Sequence, residues 1–177
     1  MVDLTDIRAA AGRLEPVIVR TPLISSAVLD EIAGGKILLK AENLQRTGSF
    51  KIRGAYNLLS QLTPEQSKNG AVAYSSGNHA QAVAAAGTML GINTTIVMPE
   101  DTPEIKISNT RKFGAKIVLY DRYTQDREQI AKEIADEYEA VLVPPYNHHK
   151  IIAGQGTVGL EIAEQCDDLD LLPDHVL

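Results

Sequence analysis

The sequence has a single cysteine, no tryptophan, and an aromatic content of only 5% over its 177 residues. One thiol cannot close an internal disulfide, so a reducing, cytoplasmic setting fits better than a disulfide-stapled secreted domain. Cys166 is also a poor nucleophile candidate, because Asp167 and Asp168 beside it disfavour a thiolate. With so few aromatics the core must be built from Val, Ile, Leu and Ala, and a hydrophobic fraction of 44% is enough for that. Basic residues never form a block. The 17 Lys and Arg are interspersed among 23 Asp and Glu for a net charge of -6, which argues against nucleic acid as a partner. No apolar run is long enough to cross a bilayer, so no membrane partner is expected. The segment Met1–Asp6 lacks the apolar core of a signal peptide. Repeats and low-complexity tracts are absent.

What is present is a strand–helix alternation. Thr5–Leu14 and Ser25–Ala33 read as helices, the second stopped by Gly34-Gly35, and Lys36–Lys40 reads as a strand. A helix is expected over Ser49–Leu62, closed by Thr63-Pro64. Short apolar strands follow at Ala71–Tyr74, Thr94–Met98, Ala115–Tyr120 and Ala140–Val143. Helices separate them: an alanine-rich one to Leu90, Pro103–Phe113, and Arg122–Tyr138. This pattern predicts an α/β fold with an open parallel sheet and helices on both faces. A helix over Gly156–Gln165 and the start of a strand at His175–Leu177 complete the reading. Ile37–Leu39 and Val176-Leu177 are expected as unpaired strand edges that recruit a partner, hence a homo-oligomer.

Lys51 falls in the first turn of the helix that follows Thr47-Gly48-Ser49-Phe50. Thr47 or Ser49 is expected to cap that helix, with Gly48 permitting a tight lead-in. The helix dipole disfavours a cation there, and together with burial it favours a neutral amine, the form that condenses with an aldehyde. Taken alone, the segment reads first as a solvent-exposed helix lysine, paired with nothing. Ser75-Ser76-Gly77-Asn78-His79 joins a buried strand to a helix N-terminus, whose open N–H groups suit an anion such as an amino-acid carboxylate. The same loop taken alone also reads as an ordinary capped helix.

Gly154-Gln155-Gly156-Thr157-Val158-Gly159 matches G-x-G-x-x-G, the phosphate-binding pattern of dinucleotide folds. The context is wrong for it, since no good strand leads into Gly154 and Pro173 interrupts the region near Asp174. His148 and His149 lack a third spaced ligand, so no metal site is expected.

The string from Lys40 to Ala55, with Ser49-Phe50-Lys51 at its centre, resembles the lysine segment of fold-type II pyridoxal-phosphate enzymes, within them the serine/threonine dehydratase and serine racemase group. The resemblance runs from about Leu4 to Leu177. It implies pyridoxal 5'-phosphate as cofactor, joined to Lys51 as a Schiff base, with Phe50 near its ring and Asn78 on its ring hydroxyl. It implies that Ser75, Ser76, Gly77, Asn78 and His79 hold the carboxylate of a small amino-acid substrate. Tyr146, after Pro144-Pro145, is a candidate pocket residue. Ile151–Thr157 resembles the helix start at which the family's glycines pack closely below the site.

The implied reaction is loss of ammonia from L-threonine or L-serine to give a 2-oxo acid, with Lys51 moving the α-proton. Ser76 resembles the residue that serves racemases as an acid/base on the opposite face, so amino-acid racemisation is the alternative; a non-catalytic binding module is a further one. Residues 1–50 would be the first part of a large domain, 51–147 a small α/β domain, and 148–177 a return to the large domain. The family's glycine-rich phosphate loop would follow Leu177. The chain therefore resembles the N-terminal part of a longer enzyme, with catalysis expected of that parent and not of these residues alone.

Overall fold

The computed structural model describes residues 1–177. Its first helix, α1 (Leu4–Leu14), starts at Asp3, whose carboxylate accepts from the N–H groups of Thr5 and Asp6 while Asp6 answers to the N–H of Asp3. A small antiparallel pair follows, β1 (Leu23–Ser25) and β2 (Leu38–Lys40), with Leu23 opposite Lys40. Between them lies α2 (Ala27–Ala33), capped by Ser26 and ended by Gly34 at φ 65°. The segment Ile37–Leu39 is therefore not an unpaired edge: Leu38 and Leu39 already have β1 as partner.

The central unit is a four-stranded parallel sheet in the order β5-β4-β3-β6, formed by β3 (Ala71–Tyr74), β4 (Thr94–Pro99), β5 (Lys116–Tyr120) and β6 (Val141–Leu142). The helices between its strands are α5 (Asn78–Leu90), α6 (Glu104–Lys112) and α7 (Arg127–Tyr138); α3 (Lys51–Leu59) and α4 (Pro64–Asn69) precede the sheet, and α8 (His149–Asp168) follows it. Side chains alternate across the sheet as its two-residue period demands. Ala71, Ala73, Ile96 and Met98 join Val83, Ile107, Ile52 and Ile151 in the larger core. Val72, Tyr74 and Val97 face the other way, against Ala131 and Ala135 of α7. The expected α/β architecture with both faces covered is the observed one.

Four local expectations need correction. The helix expected from Arg122 begins at Arg127, because the Asp121 carboxylate accepts from Tyr123 N–H and the Thr124 hydroxyl and closes a separate turn. Asp126 then caps the helix proper. The helix α4 was missed, although Thr63-Pro64-Glu65-Gln66 is a complete capping box with proline at the first position. The last helix begins at His149, seven residues before Gly156, so Gly154–Gly159 lies inside a helix and not in a strand-to-helix loop. Finally, His175–Leu177 forms no strand and is exposed, for no sheet strand runs alongside it to share a ladder.

The glycines of α8 have a packing role. A Cβ on Gly154 would stand 2.5 Å from Arg53 O and 2.8 Å from Gly54 Cα, and one on Gly54 would meet Ile151 O at 3.0 Å. The two helices thus cross at backbone contact, which fixes α3, and with it Lys51, against α8. Gly156 makes the corresponding room for Ile7 of α1.

Candidate active site

The strand order creates a crevice. From β3 the chain passes to β4 on one side, whereas β6 lies on the other, so β3 and β6 bound the point at which the connections diverge. Ligands of open parallel sheets bind outside the carboxyl ends of the strands at such a point. Beyond β3 comes Ser75–Gly77, leading into α5, and beyond β6 comes Val143–Pro145. Lys51 reaches the same place from α3: its Nζ donates to the carbonyl oxygen of Pro145 at 2.9 Å.

The lysine is half-buried and stands 5.1 Å from the centroid of the Phe50 ring. Burial holds its amine below the usual lysine range, which raises the share of the neutral, nucleophilic form. The reading of Lys51 as an exposed side chain with no partner does not survive these contacts. The expected cap does not either. The N-cap residue is Phe50, already in helical geometry, with no side-chain bond to the first turn, and the hydroxyls of Thr47 and Ser49 are buried without a protein partner. A serine or threonine cap needs an extended backbone at the cap residue. Here the turn through Gly48, at φ 71°, with Gly48 N–H donating to Gln45 O, feeds the chain into α3 already coiled.

The second helix start is open. Gly77 is the N-cap of α5 and supplies no side chain, so no capping bond forms. The N–H groups of Ser76, Asn78, His79 and Ala80 make no hydrogen bond, while Gly77 N–H is taken by Ser75 Oγ at 3.2 Å. The loop is thus an uncapped helix N-terminus, a natural anion receptor. Ser75, Ser76 and Gly77 are half-buried and Asn78 is exposed.

His79 points elsewhere: its ring is 3% exposed, and Nε2 donates to Val143 O at 3.0 Å. Because a carbonyl only accepts, Nε2 carries the proton, and the buried Nδ1 is bare and without a partner. Burial pushes the imidazole down to about 4; the bond to Val143 opposes the shift and the charge of Lys51 adds to it. The imidazole is therefore a neutral strut under the site, and what His79 offers at the loop surface is its backbone N–H. Tyr146 is 55% exposed, next in chain to the carbonyl that holds Lys51.

Sequence reasoning missed two features. One is the Pro145 carbonyl, a backbone group that no motif announces. The other is a buried ion cluster behind α3. Arg53, fully buried, donates to Glu42 (2.9 and 2.8 Å), Glu161 (2.7 and 3.0 Å) and the Thr157 hydroxyl (3.1 Å). Lys40 donates to Glu161, Gln165 and Thr21 O. Burial alone would raise the Glu161 carboxyl, but Arg53 and Lys40 hold it below its usual range.

Comparison with known proteins agrees with this geometry. Residues 14–177 match the pyridoxal-phosphate dependent enzyme family. The chain belongs to that family. It is 49% identical over 167 residues to an L-threo-3-hydroxyaspartate ammonia-lyase of a Pseudomonas species, covering 94% of this chain and 52% of that protein. It is 48% identical over 172 residues to an L-threonine ammonia-lyase of Thermotoga maritima, covering 97% of this chain and 43% of that one. The structure of maize serine racemase superposes with a TM-score of 0.91 at 42% identity, over 96% of this chain and 51% of the racemase. The chain thus spans about half the length of the relatives it matches.

Family membership implies pyridoxal 5'-phosphate as cofactor, and the residues present fit its aldehyde end: a primary amine, partly desolvated, at the carboxyl ends of parallel strands. No helix is long and apolar enough to cross a membrane, and no cluster of His, Cys, Asp and Glu has the makings of a metal site.

Proposed function

We propose that this chain is the Lys51-bearing part of a pyridoxal-phosphate-dependent ammonia-lyase that removes ammonia from a small β-hydroxy amino acid such as L-threonine or L-serine. The observation that carries the reading is the convergence of Lys51 Nζ on Pro145 O, at the mouth of the crevice whose other wall is the uncapped start of α5. Lys51 would hold the cofactor, Phe50 would lie near its ring, and Asn78 would meet its ring hydroxyl. When bound, the cofactor withdraws electrons from the substrate carbon that loses its proton.

The chain's own groups do the rest. The free N–H groups at Ser76 and Asn78–Ala80, with the hydroxyls of Ser75 and Ser76, bind the substrate carboxylate and so fix the α-carbon. Lys51, once free of the cofactor, takes the α-proton at Nζ, and its lowered proton affinity suits that task near neutral pH. The β-hydroxyl leaves as water, the proton taken by Lys51 balancing the one its oxygen acquires, and addition of a water to the resulting imine releases ammonia and the 2-oxo acid. Tyr146 borders the substrate side of the crevice.

A second reading shares these parts. Ser76 carries a hydroxyl at the loop, and relatives include serine racemases. Return of a proton from Ser76 Oγ to the face opposite Lys51 would give the other enantiomer.

We assign residues 1–50 and 148–177 to one unit and 51–147 to another; support comes from Arg20–Glu164 at 3.3 Å and Lys40–Glu161 at 2.6 Å, which tie the N-terminal segment to α8. A homo-oligomer in the cytoplasm is the setting proposed, supported by the exposed Val28 and Ile32 of α2 and by the lone, unpaired Cys166.

The deciding experiment is borohydride reduction of the full-length protein with pyridoxal phosphate, followed by peptide mapping and assays with threonine and serine. Label at Lys51 with 2-oxo acid release supports the lyase. Label elsewhere refutes the site, and racemised amino acid without 2-oxo acid selects the second reading.

A further inference from the structure

Two cations stand in the first turn of α3, at Lys51 and Arg53, where the helix dipole opposes positive charge and no acidic residue of that turn offsets it. Lys51 uses its position in the crevice. Arg53, two residues on, points about 200° round the helix, and its partners confirm the opposite direction: the 3-10 turn Glu42–Leu44 and α8.

All five of its N–H donors are taken, by four carboxylate oxygens and one hydroxyl. Lys40 likewise spends all three donors, and Glu42 also accepts from the Thr21 hydroxyl at 2.6 Å. The cluster holds two cations, Arg53 and Lys40, and two anions, Glu42 and Glu161, so it is neutral as a whole. Beside it Gly54 and Gly154 bring the backbones of α3 and α8 into contact, which sets the spacing of the two helices at that crossing.

We infer that Arg53 is a positioning residue for Lys51: the saturated, charge-neutral cluster behind α3 fixes the rotation and height of the turn that presents the lysine to the crevice. This rests on the lyase reading above for the role of Lys51, and not for the geometry. An arginine is required because its five donors serve both oxygens of both carboxylates and the Thr157 hydroxyl at once, which three lysine donors cannot do. Lysine at 53 would keep the charge but, with three donors, leave at least two of the five acceptors on Glu42, Glu161 and Thr157 without the donor Arg53 supplies. Glutamine at 42 or 161 would keep the shape but leave the cluster with one excess positive charge.

The test separates geometry from charge in the full-length protein. Arg53→Lys, Glu42→Gln and Glu161→Gln are compared with wild type by acetic anhydride labelling of Lys51 across pH, without cofactor, and by the rate at which borohydride traps pyridoxal phosphate on Lys51. Circular dichroism establishes folding of each variant. Expected for R53K is trapping slowed by about tenfold or more, a cost of about 1.4 kcal/mol in barrier, with the labelling midpoint of Lys51 held. Expected for E42Q and E161Q is a lowered midpoint, from the positive charge that each leaves uncompensated behind the turn that bears Lys51. A folded R53K that traps cofactor at the wild-type rate overturns the inference. Should R53K fail to fold, unchanged or raised midpoints in folded E42Q and E161Q overturn it instead. Failure of wild type itself to trap cofactor at Lys51 would strike the lyase reading, and the cofactor-free labelling midpoints distinguish that case.

Discussion

The Nε2 of His79 lies 3.0 Å from the carbonyl oxygen of Val143, so a residue in the first turn of α5 also holds the chain just after β6, two residues before the carbonyl that receives Lys51. The ring is neutral in the fold and titrates near 4, against 6.5 in an unfolded chain. Below pH 6.5 the unfolded state therefore binds the extra proton, and folding loses stability as pH falls, with the loss complete once pH drops below about 4. A shift of this size corresponds to about 3 kcal/mol in all. Replacement of His79 by Gln keeps a donor for Val143 and removes the titration. Urea unfolding at pH 7.5, 6 and 5 is expected to show the wild type losing up to about 1.4 kcal/mol per pH unit more than the variant. Parallel slopes would show that the ring is not buried neutral.

Gly154 and Gly159 share one glycine pattern and have opposite surroundings. A methyl group on Gly154 meets Arg53 O at 2.5 Å and Asn57 Cβ at 2.8 Å, whereas one on Gly159 meets nothing within 4 Å. Gly154→Ala is expected to destabilise the fold by about 2–4 kcal/mol, since backbone must move to admit it. Gly159→Ala, at an open helical position, is expected to be neutral or to stabilise by up to about 1 kcal/mol. Thermal unfolding of the two variants checks both. Equal effects would mean that the pattern is not read by helix packing.

This contrast shows how much was legible in the sequence. Two-residue and helical periods placed the sheet strands and most helices, because burial on a parallel sheet leaves a strong apolar signature. The placement of Lys51 and of Ser75–His79 at helix starts was legible as well, since glycine and small polar residues after an apolar strand mark such junctions. Caps and partners were less so. Ser49 looks like a cap, yet whether a hydroxyl caps depends on the backbone angle before the helix, which Gly48 decides. Arg53 and Glu161 are 108 residues apart in sequence, and only the crossing of α3 and α8 brings them together. The acceptor of Lys51 is a main-chain oxygen and has no letter of its own.

Lys51 is half-buried and makes one hydrogen bond, so its removal should spare the fold while ending the chemistry. Lys51→Ala in the full-length protein is expected to lose turnover of serine and threonine by at least about a thousandfold, as the amine proposed both to hold the cofactor and to move the proton is removed. The melting temperature should stay close to that of wild type. Assay of 2-oxo acid release beside a melting curve measures both. Near-wild-type turnover would remove Lys51 from the mechanism.

Ser76 and Lys51 reach the crevice from different elements, the loop after β3 and the start of α3. If the two deliver protons to opposite faces of the substrate carbon, their losses must separate. Elimination needs only the Lys51 face, because the α-proton leaves and nothing replaces it on the other side. Inversion needs both faces, because a proton taken on one must be returned on the other. Ser76→Ala removes one hydroxyl from the proposed carboxylate site and leaves its loop N–H groups and the Ser75 hydroxyl in place. Racemisation is expected to fall by at least about a hundredfold, with elimination less affected. Chiral chromatography of the recovered amino acid, run beside the 2-oxo-acid assay on the same samples, gives the two rates. A rise in KM for both reactions without a change in their ratio would assign Ser76 to carboxylate binding alone. Equal losses in kcat would place it in a step that the two reactions share.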